Sequence, residues 1–476
     1  MRCRAAALLA ALVAVWALSP PVASAHGIVQ RSDLPVPEWL FGWAAAAVLV
    51  ISFVALAVLW PEPKLREDGW RPLPTHIGRL LTSAAVDVLC GAAGVFLLGV
   101  VVWSGLDGTQ TPTANFAPTF VYVIFWIGLV PVSVVFGDVF RAFNPWRAIG
   151  RATAWIASTA ARTELPAPLT YPERLGRWPA AAGILGFATL ELVISGGDKP
   201  ETVAAATLVY SAITFVAMAL YGVDAWSDRG EAFSVYFNLF SRLSPLERRG
   251  RRVGLRRPLS GLPPLDAVPG TVPLVAMMIG SVTFDGAAEA PIWTSIAPHI
   301  ADFFRSLGLS PEHALEAAFF VGLLAAVMTV YGLYRLGIAG ARTVGGGFSA
   351  NRLAGAFVHS LVPIALAYVA AHYLTLLLYQ GQGAVFLASD PLGNGSDYFG
   401  TANSSIDYGV MGATATWYWQ VGFVIAGHVA ALTLAHDRAL SLYDRAALAV
   451  RSQYWMLGVM VCFTSLALWL LSQANT

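Results

Sequence analysis

Apolar residues run through this chain in long unbroken blocks, not in alternation and not as one face of a helix. A helix needs about 20 apolar residues to cross a hydrocarbon core of ~30 Å. The blocks predict crossing helices at 40–60, 85–104, 117–137, 179–196, 203–225, 271–284, 315–337, 353–378, 416–436 and 453–472. Membrane strands are excluded, because they would alternate in segments of about ten residues. The expected fold class is an all-α integral membrane bundle of about ten transmembrane helices.

The block 271–284 stands apart. Its 14 positions cover about 21 Å at ~1.5 Å each. A re-entrant loop is the alternative, but it reverses every later helix. A short true crossing places Asp285 in a depression below the membrane surface. Basic residues arbitrate, since loops on the cytoplasmic side are enriched in Lys and Arg. With ten crossings, 24 Lys and Arg fall on one side, and only Arg31, Lys199 and Arg305 on the other. The true crossing therefore fits better. It predicts a bacterial plasma (inner) membrane protein with both mature termini outside.

Composition agrees: 57% of the 476 residues are hydrophobic and 12% charged, about half the charge of a soluble domain. The start of the chain reads as a signal peptide, residues 1–25, before a membrane domain at 26–476. Arg2 and Arg4 form its basic end, Ala5 to Leu18 its apolar core, and Ala23-Ser24-Ala25 the cleavage site. The three cysteines have neither disulfide nor zinc spacing. Net charge is +1, so the run Arg248-Arg249-Gly250-Arg251-Arg252 reads as an anchor at anionic lipid. The expected partner is the lipid bilayer, and nucleic acid is not. Gly345-Gly346-Gly347 follows no strand and does not read as a phosphate loop.

Ionisable residues inside a membrane are functional candidates, because burial there is costly. One layer, toward the basic side, holds Asp87, Asp138, Asp224, His359 and His428. Asp138 and Arg141 are spaced to pair on one helix face. His359 and His428 are placed at similar depth on neighbouring helices, a spacing open to a two-histidine haem or metal site. Pro363 frees the carbonyl of residue 359 and predicts a kink. The other layer holds Glu191, Asp285 and His372. Beyond it lie His26, His299, His313 and the loop 379–415, with Asp390, Asp397 and Asp407. Histidines with carboxylates are what a divalent metal needs. Such a metal can generate hydroxide from bound water at neutral pH. His372, Asp285 and His26 are the candidate metal ligands, and Asp285 and Glu191 the candidate catalytic residues. His26, as mature N-terminus, also offers an amine and an imidazole to copper. Ser310-Pro311 predicts a helix start. Trp39, Trp60, Trp103, Trp293, Trp417 and Trp419 near the ends of the blocks read as an interfacial belt.

Several stretches resemble one family: His26-Gly27-Ile28-Val29 through Asp33-Leu34-Pro35-Val36-Pro37-Glu38-Trp39-Leu40-Phe41, Leu190-Glu191-Leu192-Val193, Gly230-Glu231-Ala232-Phe233, Arg242-Leu243-Ser244-Pro245-Leu246, Thr283-Phe284-Asp285-Gly286, and Gly427-His428 through Ala435-His436-Asp437-Arg438-Ala439-Leu440. The chain resembles, over nearly all of its mature length, actinobacterial polytopic membrane proteins catalogued as fenitrothion hydrolase. Where that pattern has small hydroxyl residues after Asp285-Gly286, this chain has Ala287-Ala288-Glu289-Ala290. The resemblance implies a membrane-embedded hydrolase of organophosphorus (phosphotriester) type, acting on a small hydrophobic ester. The competing class is a transporter or metal-handling membrane protein, with an ion as ligand.

Overall fold

The computed structural model describes residues 38–65, 69–163 and 166–473. The signal-peptide reading and His26 lie outside the described residues. The helices that matter here are α1 (Glu38–Leu59), α2 (Ala84–Asp107) and α3 (Phe116–Phe136). There follow α4 (Pro145–Ala161), α5 (Trp178–Leu192), α6 (Pro200–Tyr221) and α7 (Ala232–Ser241). Next come α8 (Thr271–Ala288), α9 (Pro291–Ser306) and α10 (Pro311–Arg342). The last three are α11 (Ala350–His372), α12 (Ala413–Leu442) and α13 (Tyr454–Gln473).

Among the described residues, nine helical stretches are long and apolar enough to cross a membrane, and α5 is a shorter apolar tenth. This is a multi-pass, all-α membrane bundle. Hydrogen bonds between loops sort the helix ends into two sets. At one end Arg177 Nη1 donates to the Asp266 carbonyl (2.7 Å), and the Ser244 hydroxyl donates to the Val135 carbonyl (3.0 Å). At the other end the Tyr122 hydroxyl donates to Gly197 O (2.7 Å), and the Ser195 amide to Glu316 Oε1 (2.8 Å). The nine long helices and the shorter α5 are thus arranged between an arginine-rich end and an opposite end.

The arginine-rich end carries the only sheet among the described residues. It is antiparallel, in the order β1 (Arg71–Pro72), β3 (Arg252–Leu255), β2 (Leu246–Arg249). Irregular backbone needs donors for its carbonyls when water is excluded. Arginines supply them. Arg256 donates to Ser241 O and Ser244 O at 2.9 Å each, Arg177 also to Thr271 Oγ1, and Arg438 to Pro263 O at 2.5 Å. The basic segment 248–257 is therefore more than a lipid anchor, because Arg256 is folded inside.

Three expectations shift in physically instructive ways. α8 runs on to Ala288, because Asp285 meets a partner on α11 and the helix can carry it. Its 18 residues span about 27 Å, so the crossing is not short. The stretch 379–415 is not structureless: it holds a 3-10 turn at Gln380–Gln382 and a helix at Gly383–Ser389. Its carboxylates close local turns. Asp390 accepts from the Asn394 and Gly395 amides, Asp397 from the Ser389 hydroxyl and the Ala402 amide, and Asp407 from the Gly409 amide. The tryptophans divide: Trp103 and Trp419 are exposed, Trp417 is buried, and Trp60 donates to Asp437.

Other readings hold. Pro363 stands at the start of Val362–His372, directly after a 3-10 stretch at Val358–Leu361, where the predicted kink belongs. Ser310 caps α10, accepting from the His313 amide at 3.2 Å. Asp138 and Glu231 each serve as the N-cap of a short helix. They are also cross-linked: Asn238 Nδ2 donates to Asp138 Oδ2 (2.9 Å), and Asn144 Nδ2 to Glu231 Oε2 (3.0 Å).

Candidate functional site

α5, α8 and α11 all end at the face opposite the arginines, and each brings one ionisable side chain there. Glu191 lies in the last turn of α5, Asp285 in the last turn of α8, and His372 closes α11. His372 Nε2 lies 2.9 Å from Asp285 Oδ2. A carboxylate only accepts, so Nε2 carries a proton, and in the neutral imidazole Nδ1 keeps its lone pair. Tyr373 is within electrostatic reach of Asp285. Glu191 is within electrostatic reach of Asp285. Of the side-chain surfaces of His372 and Asp285, 19% and 26% stay exposed, enough for water to reach the pair.

His372 also lines a cavity. A cavity of about 20 Å³ is lined by Val282, Thr283, Gly286, Tyr368, Ala371, His372, Val424 and Ala467. That is room for one or two waters. A methyl placed on Gly286 would lie 3.6 Å from His372 Nδ1 and 3.5 Å from Cε1, so the glycine keeps the space beside the base open. The walls are otherwise apolar. Thr283 donates its hydroxyl to Ile279 O (2.9 Å) within its own helix. Glu191 is not among the lining residues, and its link to the site runs through Asp285.

The sequence-predicted ligands assemble only in part. His372 and Asp285 meet each other, and His26 lies outside the described residues. Among the described residues, no group of three or more His, Cys, Asp or Glu converges as a metal shell. His299 is exposed on α9, and His313 pairs with Glu316 (3.0 Å).

The other layer is structural in its charges. Asp87 pairs with Arg151 (2.8 Å) and Arg147 (3.5 Å). Asp138 takes the Arg141 amide, while the Arg141 guanidinium turns to Asp228 and Asp224. The expected Asp138–Arg141 side-chain pair is thus replaced by a helix cap. His359 and His428 are buried, each with an unbonded Nε2. They are not level. Gln420 Nε2 donates to Ala371 O (2.9 Å), and Gly427 packs on Pro363 and Ala367. That register puts His428 opposite residue 364, more than one turn of about 3.6 residues from His359. The antiparallel register missed this because the helices have unequal overhangs.

Two features went unread in the sequence. Tyr373 follows His372 directly, and its hydroxyl was the available signal. Asp437, 3% exposed, accepts from Trp60 Nε1 and from the Lys64 and Leu65 amides. Beside it, His436 Nε2 lies 3.0 Å from Trp60 O, and Gln453 reaches His436 Nδ1 at 3.3 Å. The His436-Asp437 pair is a clamp that fastens the end of α1 to α12 and α13. Comparison with protein-family models, with curated proteins and with solved structures finds no match to this chain.

Proposed function

We propose that this protein is a membrane-embedded hydrolase of lipophilic esters, of phosphotriester type, with the arginine-rich end in the cytoplasm and the site near the outer face of a bacterial plasma membrane. One observation carries the reading: a histidine hydrogen-bonded to a carboxylate lines a small, mostly apolar cavity. His372 acts as general base. Its Nδ1 removes a proton from a water in the cavity as the water oxygen bonds to the phosphorus of the ester. The P–O bond to the leaving group breaks, an alkoxide or phenolate departs, and the imidazolium returns the proton to it. Asp285 fixes the ring and its tautomer and stabilises the imidazolium, the role a carboxylate plays in other Asp–His pairs. Tyr373 and the Glu191 carboxyl group lie within electrostatic reach of Asp285. General-base assistance of this kind contributes about 10² to 10⁴ in rate.

A transporter reading draws on the same residues. A transport path, however, needs polar groups through the bundle, and the space below His372 is apolar, as described next. The test is turnover of a hydrophobic phosphotriester by purified protein in lipid nanodiscs. Chelator-insensitive turnover that Asp285→Asn removes supports a metal-free base. Turnover abolished by chelator and restored by a divalent metal assigns the chemistry to a metal instead. Proton or ion flux in liposomes without hydrolysis assigns the protein to transport.

A further inference from the structure

A second cavity lies beneath the first; the two share α8, α11 and α13, while α12 lines only the upper and α10 only the lower. It has about 60 Å³ and is lined by residues of α8, α10, α11 and α13, among them Ile279, Leu333, Ile364, Val459 and Phe463. Along each shared helix the lining continues within about one turn: Val282 to Ile279, Tyr368 to Ile364, and Ala467 to Phe463. The two spaces meet at one aromatic pair. Tyr368 lines the upper cavity and Phe463 the lower. Their rings stack at 5.4 Å and 18°, and the Tyr368 hydroxyl reaches Phe463 O at 3.4 Å.

The lower cavity has nothing to offer a polar ligand. Its two hydroxyls are committed: Ser360 donates to Phe357 O (2.8 Å) and Tyr334 to Ala354 O (2.5 Å). The remaining lining is Ile, Leu, Val, Met, Gly and Phe. Apolar cavities of this kind stay dry and take up hydrocarbon. A water file or an ion path through it is therefore disfavoured. On α11 its lining runs from Ile364 down to Ser360, roughly 12 to 18 Å below His372 along the helix.

We infer that the lower cavity is a binding site for the hydrocarbon tail of the substrate, with Tyr368 and Phe463 as the gate the tail displaces when the ester centre sits at His372. The ligand class is an amphiphile: a phosphoester or acyl ester head on a linear alkyl chain, entering sideways from the membrane. The inference rests on the hydrolase reading for the identity of the head, and on cavity chemistry alone for the tail.

The probe is a non-hydrolysable dialkyl phosphonate with a diazirine at the end of one alkyl chain, added to the full-length protein in nanodiscs and photolysed. Mass spectrometry locates the label. The inference expects it on segments 456–463 and 330–337, displaced by excess unlabelled phosphonate, and lost in Val459→Phe, which fills the cavity without touching His372. In parallel, kcat/KM for a series of alkyl phosphotriesters, corrected for partition into the nanodisc, should peak at the chain length that fills the cavity and lose that peak in Val459→Phe. Label spread over lipid-facing positions such as Val54 and Val58, unaffected by competitor, overturns the tail site. So does turnover that ignores chain length. Specific labelling with no ester hydrolysed by any preparation keeps the tail site and sinks the hydrolase reading, so the two failures are distinguishable.

Discussion

His372 is the residue on which the chemistry turns, and its surroundings make graded tests possible. Asp285→Asn keeps the shape but removes the carboxylate that holds Nε2–H. It should lower kcat by about 10² to 10⁴, with membrane insertion unchanged, as read from turnover beside a size-exclusion profile. Gly286→Ala is the subtler probe. The added methyl makes only ordinary contacts, 3.5 Å and 3.6 Å from the ring, so the fold should persist while the space for attacking water closes. Unchanged turnover in Gly286→Ala would place the reacting atoms elsewhere. His359→Ala and His428→Ala should cost stability more than catalysis, since both side chains are buried and neither is among the residues that line the cavity. The loop carboxylates give a pH signature. The Ser389 hydroxyl, with the Ala402 amide, holds the Asp397 carboxyl below its ordinary value. A carboxyl depressed in the folded state adds order that is present above its unfolded value and lost as pH falls through the depressed one. Hydrogen-exchange protection at 397–402 should therefore hold down to about pH 4 and fall only below it. Loosening at pH 6 would contradict that assignment.

At the scale of elements, close packing is set by small residues that the hydropathy pattern cannot rank. A Cβ on Gly94 would come within 1.9 Å of Phe143 O, and one on Gly427 within 2.4 Å of the Ala367 Cβ. These contacts fix how α2 meets the Asn144 region and how α12 meets α11. Gly427→Ala should cost about 1 to 3 kcal/mol as overpacking, seen as a lower midpoint for thermal aggregation in detergent. Asp437→Ala strips three donors of their partner and should cost a comparable amount or more, since bonds to charged groups are worth about 1.5 to 3 kcal/mol each. Long apolar blocks and capping residues were legible without a structure, as Ser310-Pro311 and Pro363 show. The amphipathic α4 and α9 were not, though Trp155, Ile156, Ile292 and Phe303 leave their apolar sides exposed in the manner of interfacial helices. Their apolar residues are spaced around a turn, and a search for unbroken blocks passes over them. The end of α8 was misjudged for a different reason: a carboxylate reads as a boundary until its partner on another helix is known.

Across the whole molecule, the arrangement of the nine long helices and α5 between two ends agrees with the basic-residue count, but the assignment of sides rests on that count alone. Single cysteines at Ser396 and Gln473 should label from outside intact cells, and one at Gly254 should not. Labelling of position 254 would invert the topology and move the site to the cytoplasmic face. The site itself was half legible: Glu191, Asp285 and His372 could be placed at one end of three helices by residue position. Which of them touch, and that His372 lines a cavity, depends on helix rotation and packing, which one sequence does not carry. Asp285 and His372 were read as two ligands of one metal; in the geometry the acid is bonded to the histidine itself.

The most direct measurement is hydrolysis of a hydrophobic phosphotriester by purified protein in nanodiscs, comparing wild type, Asp285→Asn and Gly286→Ala, each with and without chelator. The account predicts turnover by wild type that chelator leaves intact, and its loss in both variants with the fold retained. Wild-type levels in both variants, or no turnover by any preparation, would contradict it.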